Sequence, residues 1–170
     1  MIWRDTNGRT VVRLEVLGTP APKGSGRAMM RGGKARYIPG GSSSNEKAML
    51  TFEGAIREVV HHDVFGGQRP EKYAPQYPAG VPVSVGILFR LKRPKGHYGT
   101  GRNAGVLKPD APIVPTTKPD VDKLARHVID VLTGSVWHDD AQVAELSTRK
   151  VYAQPGNEGA LIIVNQWSPA

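Results

Sequence analysis

The sequence predicts an α+β fold: a small mixed, mostly antiparallel sheet packed with two main helices. Three observations carry that prediction. Apolar residues alternate with polar ones near residues 12–16 and 81–91, the mark of half-buried strands. Apolar residues recur at helical spacing near 49–60 and 124–132. No internal repeat is present, so the elements belong to one domain over 1–170, a length at which about 70% of the unfolded surface can be buried.

Taken in order, "TVVRLEVLG" places Val12, Leu14 and Val16 on one face of a strand, with Arg13 and Glu15 on the other. "TPAPKGSGRAMMRGGKARYIPGGSSS" concentrates Gly, Pro, Ser and basic residues and reads as a long loop. Ser43 and Glu46 have capping-box spacing ahead of Met49, Phe52, Ile56, Val59 and Val60, which predicts an amphipathic helix over 46–62. "VPVSVGILFRLK" puts Val81, Val83, Val85, Ile87, Phe89 and Leu91 on one face, the clearest strand in the chain. The following "RPKGHYGTGRNAGVLKPDAPIVPTT" is too rich in Gly and Pro for regular structure, and so long a loop inside a domain is a candidate functional segment. Leu124, Val128, Val131 and Leu132 mark the second helix, with Thr133-Gly134 as its stop. "VAELSTRKVYA" and "ALIIVNQW" close the chain as two strands, predicted to form a hairpin turned at "QPGNEG".

Composition narrows the function classes. Hydrophobic residues make up 39% and charged residues 22%, a globular balance. Without cysteine there are no disulfides and no thiolate metal site. The start of the chain has no apolar signal-peptide core and no stretch reaches membrane-spanning length, which predicts a cytoplasmic protein with no membrane partner. Net charge is +8 and unevenly spread. Residues 1–44 hold eight basic and two acidic side chains, and residues 90–108 hold six basic and none acidic. Residues 119–145 reverse the balance, with six acidic and two basic. Basic flanks around an acidic centre suit a polyanion held at its sides and cations held in the middle. The plainer alternative is a basic surface that serves solubility only.

The acidic centre is "KPDVDKLARHVIDVLTGSVWHDD", with Asp120 and Asp122 at one end and Asp139 and Asp140 at the other. An Asp at a helix start can simply cap it, but one cap needs one Asp. From Asp122 to Thr133 a helix advances about 17 Å. An extended return from Gly134 to Asp140 covers about 20 Å. A reversal at Gly134 is therefore expected to bring Asp139 and Asp140 beside Asp120 and Asp122. Clustered carboxylates repel unless a cation sits among them, and hard oxygen ligands without Cys favour Mg²⁺, with Mn²⁺ as a substitute. The segment lacks the Gly and distal Glu of an EF-hand, and His61, His62, His127 and His138 show no zinc spacing. These histidines, and Trp137, read as surface or packing residues.

"KPDVDKLARHVIDVLTG", "WHDDAQV" and the later basic residue of "STRKVYA" resemble the RusA family of Holliday-junction resolvases, and "LGTPAPKGSGR" is similar to that family's first loop. The strong match covers about 116–153. The resemblance implies a small α+β homodimer of bacteria and their phages, in the bacterial cytoplasm or encoded by a prophage. It implies Mg²⁺-dependent nicking of two strands of like polarity at a four-way DNA junction. Asp120 and Asp122 match the family's first carboxylate pair and Asp140 its third essential carboxylate, with Asp139 the neighbouring acid. Two positions depart from the pattern. Lys123 stands where the family commonly has Asn, and Arg126 where it has a catalytic Lys. Arg keeps the positive charge but cannot act as a general acid, since it does not deprotonate in proteins.

On this reading Asp120, Asp122, Asp139 and Asp140 hold one metal ion, or two about 3.5–4 Å apart. Arg126 lies one turn from Asp122 and contacts the phosphate, its plain alternative being an i,i+4 ion pair with Asp122 or Asp130. Lys23, Arg27, Arg31 and Lys34 form a first DNA-binding group. Arg93, Lys95 and Arg102, with His97 and a stacking Tyr98, form a second, and Lys118, Lys123 and Lys150 flank the acidic centre. A mobile, solvated loop is the plain alternative for both loop groups. The competing functions are a branched-DNA binding protein that has lost catalysis through Arg126, and a D-x-D transferase. The second would need a nucleotide pocket, and the chain has no P-loop or G-x-G-x-x-G motif. A two-fold junction calls for a two-fold dimer, paired through the 46–62 helix or the edge of the "VPVSVGILF" sheet.

Overall fold

The alternation read in the sequence becomes one five-stranded sheet. A computed structural model describes residues 1–24, 27–32, 34–38, 43–68 and 74–169; the side chains at 27–29, 31, 35–38 and 43 lie outside the description. The strands are β1 (Ile2–Arg4), β2 (Thr10–Leu17), β5 (Val83–Leu91), β6 (Val143–Tyr152) and β7 (Gly159–Gln166), in the order β1-β2-β7-β5-β6. Only the β5–β6 pair is parallel. Leu14 lies opposite Ile162, and Ile162 opposite Ile87, so one buried row crosses three strands.

Both helices cover that face. Helix α1 (Ser43–Asp63) buries Phe52, Ile56 and Val60, and α2 (Val121–Leu132) buries Leu124, Val128, Val131 and Leu132. Trp137 is fully buried beyond α2, with its indole N–H donated to Thr133 Oγ1 at 3.0 Å, the core anchor expected of it. Tyr77 is buried with its hydroxyl between the carbonyls of Thr10 and Val164, and burial pushes its phenol pKa up. Helix α2 stops where expected: Gly134 takes φ 81°, a left-handed conformation that a Cβ disfavours.

Three expectations need correction. First, β6 and β7 do not form a hairpin. The turn at Gly156 carries the chain across the end of β5, so β7 lies between β2 and β5 while β6 is an edge strand. The composition explains this: "ALIIV" is apolar on both faces and suits a central position, whereas β6 is largely exposed. Second, the first loop contains a separate hairpin of β3 (Arg27–Arg31) and β4 (Lys34–Ile38), with Arg31 opposite Lys34. The sequence between Arg31 and Lys34 is Gly-Gly, a recognised hairpin signal that the surrounding basic and Gly-rich residues obscured. Third, α1 spans Ser43–Asp63 and so begins three residues before the expected start at residue 46. Of the two surfaces offered for dimer pairing, the edge of the sheet stays open. The α1 stripe is buried in the core, and β5 is flanked on both sides, leaving β1 and β6 as edges.

Residues 92–117 match their expectation. They contain two 3-10 turns, Lys95–His97 and Gly101–Asn103, and the isolated bridges Tyr98–Leu107 and Gly99–Ala104, with bonds such as Gly99 N–H to Val106 O and Lys108 N–H to His97 O, but no helix or strand of any length.

Candidate active site

Strands β2, β5 and β6 all end at the same end of the sheet, because β7 runs antiparallel to β2 and β5 while β6 runs parallel to β5. The loops after Leu17, Leu91 and Tyr152 therefore leave together. Helix α2 returns against β6, so its N-terminus meets those loops outside the carboxyl ends of a parallel strand pair, a common place for ligands in α/β units.

Asp120 occupies the N-cap of α2, with φ −70° and ψ 137°, and its carbonyl accepts the N–H of Leu124 at 3.1 Å. Its carboxylate makes no capping hydrogen bond. It lies instead 3.2 Å from Lys123 Nζ, half exposed. Asp122, in the first turn, is exposed as well. Two carboxylates thus sit free of the helix backbone where the helix dipole favours negative charge. The capping alternative for Asp120 is not what the geometry shows.

Arg126 is exposed one turn beyond Asp122 and forms no ion pair with the described residues. Its alternative partner Asp130 is paired with Lys23 Nζ. The N–H of Lys23 also donates to Lys123 O at 3.2 Å, and the buried His127 holds Ala21 O through Nδ1 at 2.8 Å. The first loop is thereby docked on α2. His127 is thus one of the packing residues that the sequence reading allowed for, though its hold on Ala21 carries no spacing signal. A cleft of about 390 Å³ separates this loop from the α2 start, lined by Pro20, Pro22, Asn45, Lys118, Asp120 and Lys123.

Asp139 and Asp140 do not return to this cleft. Residues 134–138 are not extended: Val136 N–H bonds Leu132 O at 2.9 Å and Gly134 N–H bonds Trp137 O at 2.7 Å, which coils the segment beneath α2. Asp139 then caps a 3-10 turn, Asp140–Gln142, accepting from Ala141 N–H at 2.8 Å. Gln142 locks that turn. Its Oε1 accepts from the N–H groups of His138 and Asp139, and its Nε2 donates to the carbonyls of Pro78 and Val81. These contacts fix Asp139 and the exposed Asp140 at the start of β5 and β6, across the length of α2 from Asp120, about 18 Å for twelve residues. The residue of β6 that does reach the α2 start is Lys150, whose Nζ donates to Thr117 O at 2.9 Å and Pro119 O at 3.0 Å.

The remaining basic residues separate into free and engaged groups. Lys34, Lys95, Arg102 and Lys118 are exposed. Arg93 stacks over the Tyr152 ring at 4.0 Å and donates to Pro112 O at 2.8 Å. Arg27 and Arg31 lie in β3, and their side chains fall outside the described residues.

Among the described residues no three His, Asp or Glu side chains are grouped to hold a metal. Asp120 and Asp122 alone still fit Mg²⁺, which keeps several waters and is bound through one or two carboxylates plus substrate phosphates. No helix among the described residues is long and apolar enough to cross a membrane.

A curated relative, the uncharacterised protein YqaN of Bacillus subtilis (strain 168), is 26% identical over 148 residues, covering 84% of this chain and 89% of its own length. The model of the endodeoxyribonuclease RusA family matches residues 20–161, so the chain belongs to that family.

Proposed function

We propose that the protein is a divalent-metal-dependent endodeoxyribonuclease that resolves four-way junctions by paired nicks. One observation supports it above the others: the Asp120 carboxylate stands at a helix cap without capping, beside the exposed Asp122 and within reach of Lys123. Asp120 and Asp122 would hold Mg²⁺, or Mn²⁺ in its place. When bound, the ion supplies an activated water and charge relief for the phosphate. Lys123 keeps the Asp120 carboxylate oriented. Arg126, with no partner among the described residues, would donate to the non-bridging phosphate oxygens. It holds its protons throughout, so the leaving oxygen takes its proton from water. Lys34, Lys95, Arg102 and Lys118 would track the DNA backbone.

The resemblance makes Asp140 essential, yet the fold holds it at the far end of α2. It can join the Asp120–Asp122 pair only across an interface with a second copy, which agrees with the two-fold symmetry of an open junction. Nicking of a synthetic four-way junction beside linear duplex tests the proposal. Paired, Mg²⁺-dependent nicks on the junction, from a species of about twice 18.4 kDa, are expected. Tight junction binding without nicking in either metal would replace the proposal by a binding protein of the same fold.

A further inference from the structure

The segment that delivers the two carboxylates has an unusual attachment. No described backbone–backbone hydrogen bond outside helices and strands involves residues 112–119, which lead into Asp120. Their carbonyls are held by side chains: Arg93 Nη1 on Pro112 O at 2.8 Å, and Lys150 Nζ on Thr117 O and Pro119 O. Lys150 comes from near the C-terminal end of the edge strand β6, an element fixed by its pairing with β5, where Phe89 lies opposite it. Two of the three ammonium donors are committed to the carbonyls of Thr117 and Pro119, the second belonging to the peptide directly before Asp120.

We propose that Lys150 is a positioning residue for the Asp120–Asp122 pair and not a phosphate contact. The proposal rests on the metal-site reading above. Its ammonium satisfies two carbonyls that have no other described partner and sets where α2 begins, hence where both carboxylates stand. An ammonium aimed at backbone carbonyls neutralises no phosphate.

The two roles separate experimentally. Lys150→Met keeps the aliphatic stem and removes the donors; Lys150→Arg keeps donors able to reach a carbonyl. For Lys150→Met, Mn²⁺ affinity measured with the metal alone is expected to fall about 10–100-fold, the usual range for a residue supporting a ligand. Metal-free junction affinity and its salt slope should stay at wild-type values, and Lys150→Arg should restore most of the Mn²⁺ affinity. A salt slope shallower by about 0.9 with Mn²⁺ affinity unchanged would overturn the proposal and make Lys150 a phosphate contact. Should Lys150→Met fail to fold, Lys150→Gln decides in its place by the same two readouts: weaker Mn²⁺ affinity with an unchanged salt slope supports positioning, and a shallower salt slope with unchanged Mn²⁺ affinity overturns it. Wild-type protein that binds Mn²⁺ no better than Asp122→Asn would instead remove the metal-site reading, and the proposal with it.

Discussion

Asp120 and Asp139 occupy the same kind of position at opposite ends of α2, and the chain uses them differently. Each is an N-cap residue with a second Asp close behind it. Asp139 accepts the N–H of Ala141 and completes a capping box with Gln142. Asp120 makes no such bond, and its helix starts without a side-chain cap. A cap contributes about 1 kcal/mol, so leaving one unmade at the first turn of a twelve-residue helix has a real cost. The difference teaches which acid serves the fold and which is left for chemistry. The basic side chains follow the same division. Lys123 and Lys150 gather around the α2 start. The Asp139 end is held by the neutral amide of Gln142.

The largest expected effect tests the chemical half of that contrast. Asp122→Asn should lower junction nicking by at least about 10³-fold while metal-free junction binding stays near wild type. If Asp140 acts from a second copy, Asp140→Asn is also inactive alone. Mixing the two variants should then restore about a quarter of wild-type nicking, since half the dimers are mixed and each has one complete site. No recovery in fully exchanged mixtures would remove Asp140 from the site or the dimer from the mechanism.

Arg126 comes next. Arg126→Ala should reduce kcat about 10²–10³-fold with little change in junction Kd, and Arg126→Lys should retain much of the rate. Normal cutting by Arg126→Ala would return this residue to the solvent-exposed face of α2.

The smallest effects are on stability and run the other way round. Gln142→Ala leaves two N–H groups and two carbonyls without their partner and should cost about 1–3 kcal/mol in denaturant unfolding. Asp139→Ala should cost about 1 kcal/mol, whereas Asp120→Asn should change stability by less than about 0.5 kcal/mol. Equal losses for Asp120→Asn and Asp139→Ala would erase the distinction between a structural and a functional acid.

Periodicity alone determined β2, β5, β6, β7 and both helices, and which of their residues point inward, but not β1 or the β3–β4 hairpin. Val12, Leu14, Val16 and the 83–91 alternation are buried as their spacing requires. The D-x-D pair and the stop at Gly134 were equally local, one a motif and the other a backbone conformation that glycine adopts readily. Neighbourhood was decided only by the tertiary structure. A two-residue period says that a face is apolar, not which strand lies beside it, and β7 lies between β2 and β5 with β6 at the edge. Chain length between Gly134 and Asp140 permitted a return to Asp120, but hydrogen bonds at Leu132 and Gln142 coiled those residues instead. The strand that follows then brought Lys150, and not the second acidic pair, to the carboxylates. Reach along a chain is a sequence property; the partner that captures a carbonyl or a carboxylate is set by packing across dozens of residues.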